Sequence, residues 1–394
     1  MKIAYASTYD VNDDSTWSKH QRGTYGSNHF IAKTLENEGF EIDYVAPLKQ
    51  KYRWLTRIKW LYYQHIAERK YYSWAEPLVN QQYAKQIRQR LQQSSADFIL
   101  ATEGTFHLAY LNCSQPIIFW TDTCVAELID YYPYLQNLCQ ETKQNILAYE
   151  KQGLDRCSLI VLTSDWGRDR IIEHYHLPPE KVIVLPRGAN IELSPRRTLA
   201  DIEHLIHQRS TTVCRLLFSG VSWERKGGDT AVQVAAWLNQ NGVPTELVVL
   251  GCQPPLNPMP PFIKVVGYID KSTATGQQEL LDWVASAHFL ILPTRGDCTP
   301  NVLIEANAFG VPCLTTNITG ISTVIRNDVN GRMFPLHAAA AAYGEYIARY
   351  RSDRAAYHQL ALNAFVEYQT RLNWEVVGKS AKQHFESILA KSKI

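Results

Sequence analysis

Two turns in the second half of the chain place charged side chains where a helix is about to begin. The first is Leu292-Pro293-Thr294-Arg295-Gly296-Asp297-Cys298-Thr299-Pro300-Asn301-Val302-Leu303-Ile304-Glu305-Ala306. The apolar run 289–292 predicts a strand ending at Leu292. Thr299 suits a helix N-cap and Pro300 the first helical position, and the helix is expected to run to Phe309 and stop at Gly310. Backbone N–H groups over 299–302 at such a helix start favour an anion. Asp297 in the turn and Glu305 on the helix are poor ligands for a phosphate but good acceptors of hydrogen bonds from sugar or ribose hydroxyls. The plainer alternative has Asp297 capping the turn and Glu305 solvated. The second turn is Ser219-Gly220-Val221-Ser222-Trp223-Glu224-Arg225-Lys226-Gly227-Gly228-Asp229-Thr230. Arg225 and Lys226 precede a helix with Ala231, Val234, Ala235 and Leu238 on one face, ending near Asn241-Gly242. Two fixed cations at a helix start suit a diphosphate. A basic turn exposed to solvent is the alternative, and the glycines on both sides of the pair weigh against it.

Two further turns are weaker signals. The apolar run 3–6 is followed by a long polar loop and then Gly23-Thr24-Tyr25-Gly26-Ser27-Asn28, opening a helix with Ile31 and Leu35 inward. This is not G-x-G-x-x-G, but loops of such length in a compact fold are usually functional or mobile. The run 117–120 ends in Thr121-Asp122-Thr123, which makes Asp122 either a substrate contact or a cap.

The elements that must position these turns alternate. Short apolar, β-branched runs lie at 3–6, 42–45, 98–101, 117–120, 159–162 and 182–185, then at 216–218, 247–250, 263–266, 289–292 and 313–315, with helix-period stretches between them. That alternation predicts an α/β chain of parallel sheets covered on both faces, and two such series predict two Rossmann-like, doubly wound domains with a cleft between them. The join is expected in the polar stretch 188–209, which carries Pro195, Arg196 and Arg197. This gives domains 1–195 and 196–372, and a terminal helix 373–394 beginning at Trp374. Ligands of doubly wound sheets bind outside the carboxyl ends of the strands, where all four turns fall.

The bulk numbers exclude several classes. The 394 residues suffice for two domains. With 40 basic and 38 acidic residues, nothing in the total charge points to nucleic acid. No run is long enough to span a membrane, and the N-terminus reads as a strand rather than a signal peptide. The 8 cysteines form no C-x-x-C pair, which argues against a zinc or redox site and for a reducing, cytoplasmic setting. No D-x-D stands at a strand end, so no metal and no other cofactor is expected. One segment stands apart: residues 49–65 mix five cations with aromatics, and Trp54, Ile58, Leu61 and His65 share a helical face. It reads either as a peripheral membrane contact, at the inner face of a membrane, or as an amphipathic helix covering the first sheet.

Across 214–336 these blocks resemble the donor domain of glycosyltransferase family 4: Phe218-Ser219-Gly220, Lys226-Gly227, Gly251, Val266-Gly267-Tyr268, Leu292-Pro293-Thr294, Asp297 with Glu305-Ala306, Gly310-Val311-Pro312, Thr319-Gly320-Ile321-Ser322 and Asn330-Gly331-Arg332-Met333-Phe334-Pro335. In the first half, Ser164-Asp165-Trp166 and Pro186-Arg187-Gly188-Ala189-Asn190 are similar to segments before that family's linker. The resemblance implies a GT-B fold and a retaining, metal-independent transfer of a hexose from a nucleoside-diphosphate sugar, UDP-sugar favoured, to a hydroxyl of a glycan, lipid-linked sugar or small metabolite. It implies that Arg225 and Lys226 neutralise the diphosphate beside Gly220, Glu305 holds the ribose, and Asp297 contacts the transferred sugar. It further implies that Thr299, Pro300 and Asn301 support sugar and phosphate, Gly23 and Thr24 close over the diphosphate, and Tyr268 lies beside the base. The sequence departs from the family in having Asp rather than Glu at 297, Val221 where an Arg is common, and Asp122 where many members have His. A sugar-nucleotide epimerase or hydrolase on the same fold, and a non-catalytic sugar-nucleotide-binding protein, are the competing readings.

Overall fold

The computed structural model describes residues 1–18, 22–192, 196–271 and 273–392. The chain divides into two compact units, Met1–Leu185 with Val377–Ile394, and Pro186–Val376. The first holds β1 (Lys2–Ala6), β2 (Glu41–Val45), β3 (Phe98–Ala101), β4 (Ile117–Thr121), β5 (Leu159–Leu162) and β6 (Val182–Val184) in the order β2-β1-β3-β4-β5-β6. Helices α1 (Arg22–Asn37), α2 (Arg53–His65), α3 (Pro77–Leu91), α4 (Gln140–Arg156) and α5 (Asp165–Tyr175) belong to it. The second holds β7 (Cys214–Ser219), β8 (Thr245–Leu250), β9 (Ile263–Gly267), β10 (Phe289–Leu292), β11 (Cys313–Thr316) and β12 (Gly331–Phe334) in the order β12-β11-β10-β7-β8-β9. Its helices are α6 (Leu199–Gln208), α7 (Trp223–Lys226), α8 (Gly228–Gln240), α9 (Ala274–Ser286), α10 (Asn301–Asn307), α11 (Ile321–Val324), α12 (Ala340–Ser352) and α13 (Arg354–Arg371). The last helix, α14 (Trp374–Ser392), starts in the second unit and continues into the first.

Every strand pair is parallel. Strands β3, β5, β10 and β11 are buried along their whole length, which is why they read as apolar runs rather than alternating patterns. In the first sheet the chain leaves β1 for β2 on one side and returns to β3 on the other. In the second it leaves β7 for β8 and β9, then returns to β10 on the far side. Such a reversal opens a crevice at the carboxyl ends of the two central strands, so the sites are expected at β1/β3 and β7/β10.

All eleven expected strands form; β12 is the addition. It follows a turn-like Asn330-Gly331 and carries Arg332 and Met333 at half-buried positions, so its pattern never stood out. The stretch 188–209, expected to hold only the join, contains α6. Thr198 and Asp201 form a reciprocal capping box that starts this helix, a signal readable in the sequence. The units part at Leu185/Pro186, ahead of the expected join at 195/196; Pro195 itself lies outside the described residues. Among the described residues no helix is long and apolar enough to cross a membrane.

Candidate functional site

The two charged turns, far apart in sequence, meet at the β7/β10 reversal. The backbone makes the meeting possible at Gly227. Its φ is +77°, and a Cβ there would lie 2.0 Å from the Pro293 carbonyl oxygen, so only glycine allows the end of α7 to lie against the turn after β10. The Arg295 N–H then donates to the Arg225 carbonyl at 2.7 Å, and Thr294 Oγ1 lies 3.1 Å from the same oxygen. Gly220 sits against the stem of Lys226, where a Cβ would come within 2.9 Å of Cγ.

The side chains close over this frame. Asp297 Oδ1 accepts from Arg225 Nη1 and from Lys226 Nζ, each at 2.8 Å. Its Oδ2 accepts from Lys226 Nζ at 2.8 Å and from Thr294 Oγ1 at 2.6 Å. Arg225 also donates to the Gly296 carbonyl, and Thr319, in the turn after β11, donates to the Asp297 carbonyl. Lys226 and Asp297 are almost enclosed, with side chains 11% and 12% exposed, against 31% for Arg225. Burial by itself pushes the Asp297 carboxyl up, but Lys226 and Arg225 outweigh it and hold the carboxyl below its ordinary value. Burial pulls the Lys226 ammonium down, with Arg225 adding to the fall and Asp297 opposing it. Contact of Nζ with both carboxylate oxygens keeps the pair ionised. Two cations share one carboxylate, and the excess positive charge suits an incoming anion.

Helix α10 starts one residue later than expected. Pro300 is its N-cap, with no side-chain hydrogen bond, and Asn301 its first residue. Pro300 has no N–H, so the donors over 299–302 are those of Thr299, Asn301 and Val302. Regular helix ends at Asn307 rather than Phe309; the chain then turns through Gly310 at φ +61°. Glu305 is buried rather than solvated, at 5% exposure, and its oxygens lie 3.4 and 3.5 Å from Lys271 Nζ. The end of α10 is tied to the turn before β12 by two buried asparagines: Asn330 Nδ2 donates to Asn307 Oδ1 at 2.7 Å and to the Val324 carbonyl at 2.9 Å. Behind α10, Arg209 donates to the Phe309 carbonyl at 2.7 Å, to the Gly310 carbonyl at 2.9 Å and to the Ala285 carbonyl at 3.2 Å. A single buried guanidinium thereby ties together the ends of α9 and α10.

The structure brings Arg225, Lys226, Asp297 and Gly220 together, with Thr299, Pro300, Asn301 and Glu305 on the segment that follows. Tyr268 lies just past β9 and is 59% exposed. Val221, which stands where an arginine was expected, is 62% exposed, and the guanidinium on Asp297 comes from Arg225. The remaining candidates belong to the first unit. Gly23 and Thr24 lie in the first turn of α1, and a Cβ at Gly23 would meet nothing within 4 Å. Asp122 follows β4 and accepts from Thr163 Oγ1 at 3.2 Å. Lys271 and Thr294 escaped the sequence reading as site groups, as did a pair at the β1/β3 reversal. There Glu103 accepts from the Thr8 N–H at 2.9 Å and from the Thr8 hydroxyl. The strand-end rule applied to Thr102-Glu103-Gly104 was the available signal.

Comparison with known proteins concerns the family and the fold. Residues 214–353 match the family model described as Glycosyl transferases group 1, and residues 28–193 that described as Glycosyltransferase Family 4. The chain is 24% identical over 201 residues to a D-inositol 3-phosphate glycosyltransferase of Thermobispora bispora, covering 48% of this chain and 46% of that protein. It is 25% identical over 247 residues to a D-inositol 3-phosphate glycosyltransferase of Streptomyces bingchenggensis, covering 57% and 52%. The chain thus spans about half the length of the curated relatives it matches. Among solved structures, sucrose-phosphate synthase from Thermosynechococcus elongatus is similar with a TM-score of 0.69 at 15% identity, over 99% of both chains. Anabaena HepE in complex with UDP-glucose is similar with a TM-score of 0.61 at 15% identity, over 98% of this chain and 100% of that one. These structural likenesses concern the fold.

Proposed function

Because the chain belongs to the GT-B glycosyltransferases of the family 4 type, we propose that it transfers a hexose from a nucleoside-diphosphate sugar to a hydroxyl acceptor, with retention at the anomeric carbon. A UDP-sugar is the favoured donor, and a glycan, lipid-linked sugar or small metabolite the acceptor. The observation that carries this reading is the meeting of Arg225 and Lys226 with Asp297 at the β7/β10 reversal, where an excess positive charge is built into a nearly enclosed site.

On this reading the bond between the anomeric carbon and the diphosphate oxygen breaks, and its electron pair stays on the diphosphate. Arg225 and Lys226 stabilise that growing negative charge from fixed positions, the kind of interaction that usually dominates such catalysis. The acceptor oxygen bonds to the anomeric carbon from the same face, and its proton passes to the departing diphosphate oxygen. Asp297 keeps the two cations in place and contacts the transferred sugar. Glu305 accepts hydrogen bonds from the ribose hydroxyls in place of its long contact to Lys271, and Tyr268 flanks the base. Gly220 leaves room for Lys226, and Thr299, Pro300 and Asn301 line the sugar and phosphate. Asp122, Gly23 and Thr24 are substrate-facing groups of the first unit. With two fixed cations to bear the leaving charge, no divalent metal is needed.

The test is transfer from UDP-sugars to a panel of hydroxyl acceptors in the presence of EDTA, with the product's anomeric configuration read by NMR. Acceptor-dependent transfer with retained configuration at an unchanged rate is expected. Donor breakdown at the same rate with and without acceptors, an inverted product, or activity abolished by EDTA contradicts the reading.

A further inference from the structure

Helix α2 is turned inside out relative to an ordinary surface helix. Its inward face is polar. Thr56 is buried at 7% exposure, Lys59 Nζ is paired with Glu76 at 2.9 Å and with Glu141, and the Tyr63 hydroxyl donates to Glu141 at 3.1 Å while its ring stacks on Tyr71. The opposite face carries Trp54, Ile58 and Leu61, spaced four and three residues apart, at 68%, 58% and 42% exposure. Tyr62 at 51% and Ile66 at 73% extend it. Amphipathic surface helices bury their apolar stripe, and this one packs through its ion pairs instead. A covering role for Trp54, Ile58 and Leu61 over the first sheet, one of the two readings of the sequence, is therefore excluded. Contiguous exposed apolar surface of this kind marks an interaction site.

Charge decides the partner. Residues 46–67 contain no Asp or Glu. Lys49, Lys51, Arg53 and Arg57 are exposed, and among the described residues none of them forms an ion pair, whereas Lys59 is neutralised from within the unit. Four cations stand in the same segment as the apolar stripe, and Trp54, Tyr52 and Tyr62, all exposed, supply the amphipathic rings that settle at the boundary between headgroups and acyl chains. A second copy of the chain docked through the same face would bring two sets of these cations into one interface, with no acidic residue from 46–67 to pair them.

We infer that α2 lies on an anionic lipid bilayer, with Trp54, Ile58 and Leu61 inserted among the acyl chains and Lys51, Arg53 and Arg57 on the lipid phosphates. This placement is independent of the transfer chemistry proposed above. The contact is peripheral: it depends on anionic lipid, weakens with salt, and loses about fivefold in affinity for each cation removed.

The experiment is co-sedimentation of the full chain with phosphatidylcholine vesicles containing or lacking phosphatidylglycerol. It compares the wild type with Trp54→Ser/Ile58→Ser and Arg53→Gln/Arg57→Gln, and checks each variant by circular dichroism. Wild type is expected to pellet only with phosphatidylglycerol and to be released by salt. The charge variant should bind about 25-fold more weakly, and the apolar variant should stay in the supernatant. Wild type remaining in the supernatant with anionic vesicles at low salt overturns the inference, as does wild-type binding by both variants. A sedimentation-velocity dimer abolished by Trp54→Ser/Ile58→Ser, without vesicle binding, assigns the face to a second copy instead.

Discussion

Asp297 holds its two cations through both carboxylate oxygens, Oδ1 accepting from Arg225 and Lys226 and Oδ2 from Lys226 and Thr294. Arg225 and Lys226 come to this aspartate, carried by the turn after β7. Replacing Asp297 with Asn leaves two enclosed cations without a counter-charge. The expected loss is about 3 kcal/mol in urea unfolding, partly restored by a nucleoside diphosphate, which supplies the missing negative charge. An Asn variant as stable as wild type would contradict the pairing. The pH dependence has a definite sign. The folded carboxyl sits below its ordinary value, so the stability it contributes is fully present above the unfolded value of about 3.9 and is lost as pH falls through the lower folded one. The stability gap between wild type and the Asn variant is therefore constant at neutral pH and closes only in acid.

At the scale of elements, α10 is placed from behind as much as from its N-terminus. Arg209 reaches three carbonyls and the Tyr357 hydroxyl, at 2.8 Å for the last. Substituting Arg209 with Met strips buried carbonyls of their donor, at about 1–3 kcal/mol for each unsatisfied group. A loss of at least about 3 kcal/mol in chemical unfolding is expected, together with weaker nucleotide binding as Glu305 shifts with its helix. Unchanged stability would remove Arg209 from the account. Strands were the legible part of this fold: β3, β5, β10 and β11 are buried throughout and read as unbroken apolar runs, and the other expected strands carried enough apolar, β-branched residues to stand out between the helix-period stretches. The turns after β7 and β10 were legible too, since glycines and charges at a strand end announce themselves. The partnership between Asp297 and Lys226 was not, because pairing across two turns depends on β10 returning to lie beside β7, and strand order is not written in local pattern. The same reason hid Glu103 and Thr8 at the β1/β3 reversal. Nor does a stripe on a helical wheel say which way it faces: the apolar face of α2 was visible, and its outward direction came only with the ion pairs that turn it.

At the scale of the whole chain, two sheets of the same build each reverse once, and each reversal gathers polar groups: Thr8 with Glu103 in the first, Arg225 and Lys226 with Asp297 in the second. The last helix starts beside the second sheet's unit, where Trp374 closes on Gly188, and ends in the first, where Phe385 packs on Phe40 and Phe98. With 40 basic and 38 acidic residues overall, no general attraction for anions exists, and anion binding must be local. The claim that the β7/β10 reversal is the donor site thus reduces to its two cations. The most direct measurement is calorimetric titration of UDP into the wild-type chain and into Arg225→Ala/Lys226→Ala. Two charge-assisted contacts at about 1.5–3 kcal/mol each predict affinity at least roughly a hundredfold weaker in the variant; equal affinities would place the diphosphate elsewhere and contradict the account.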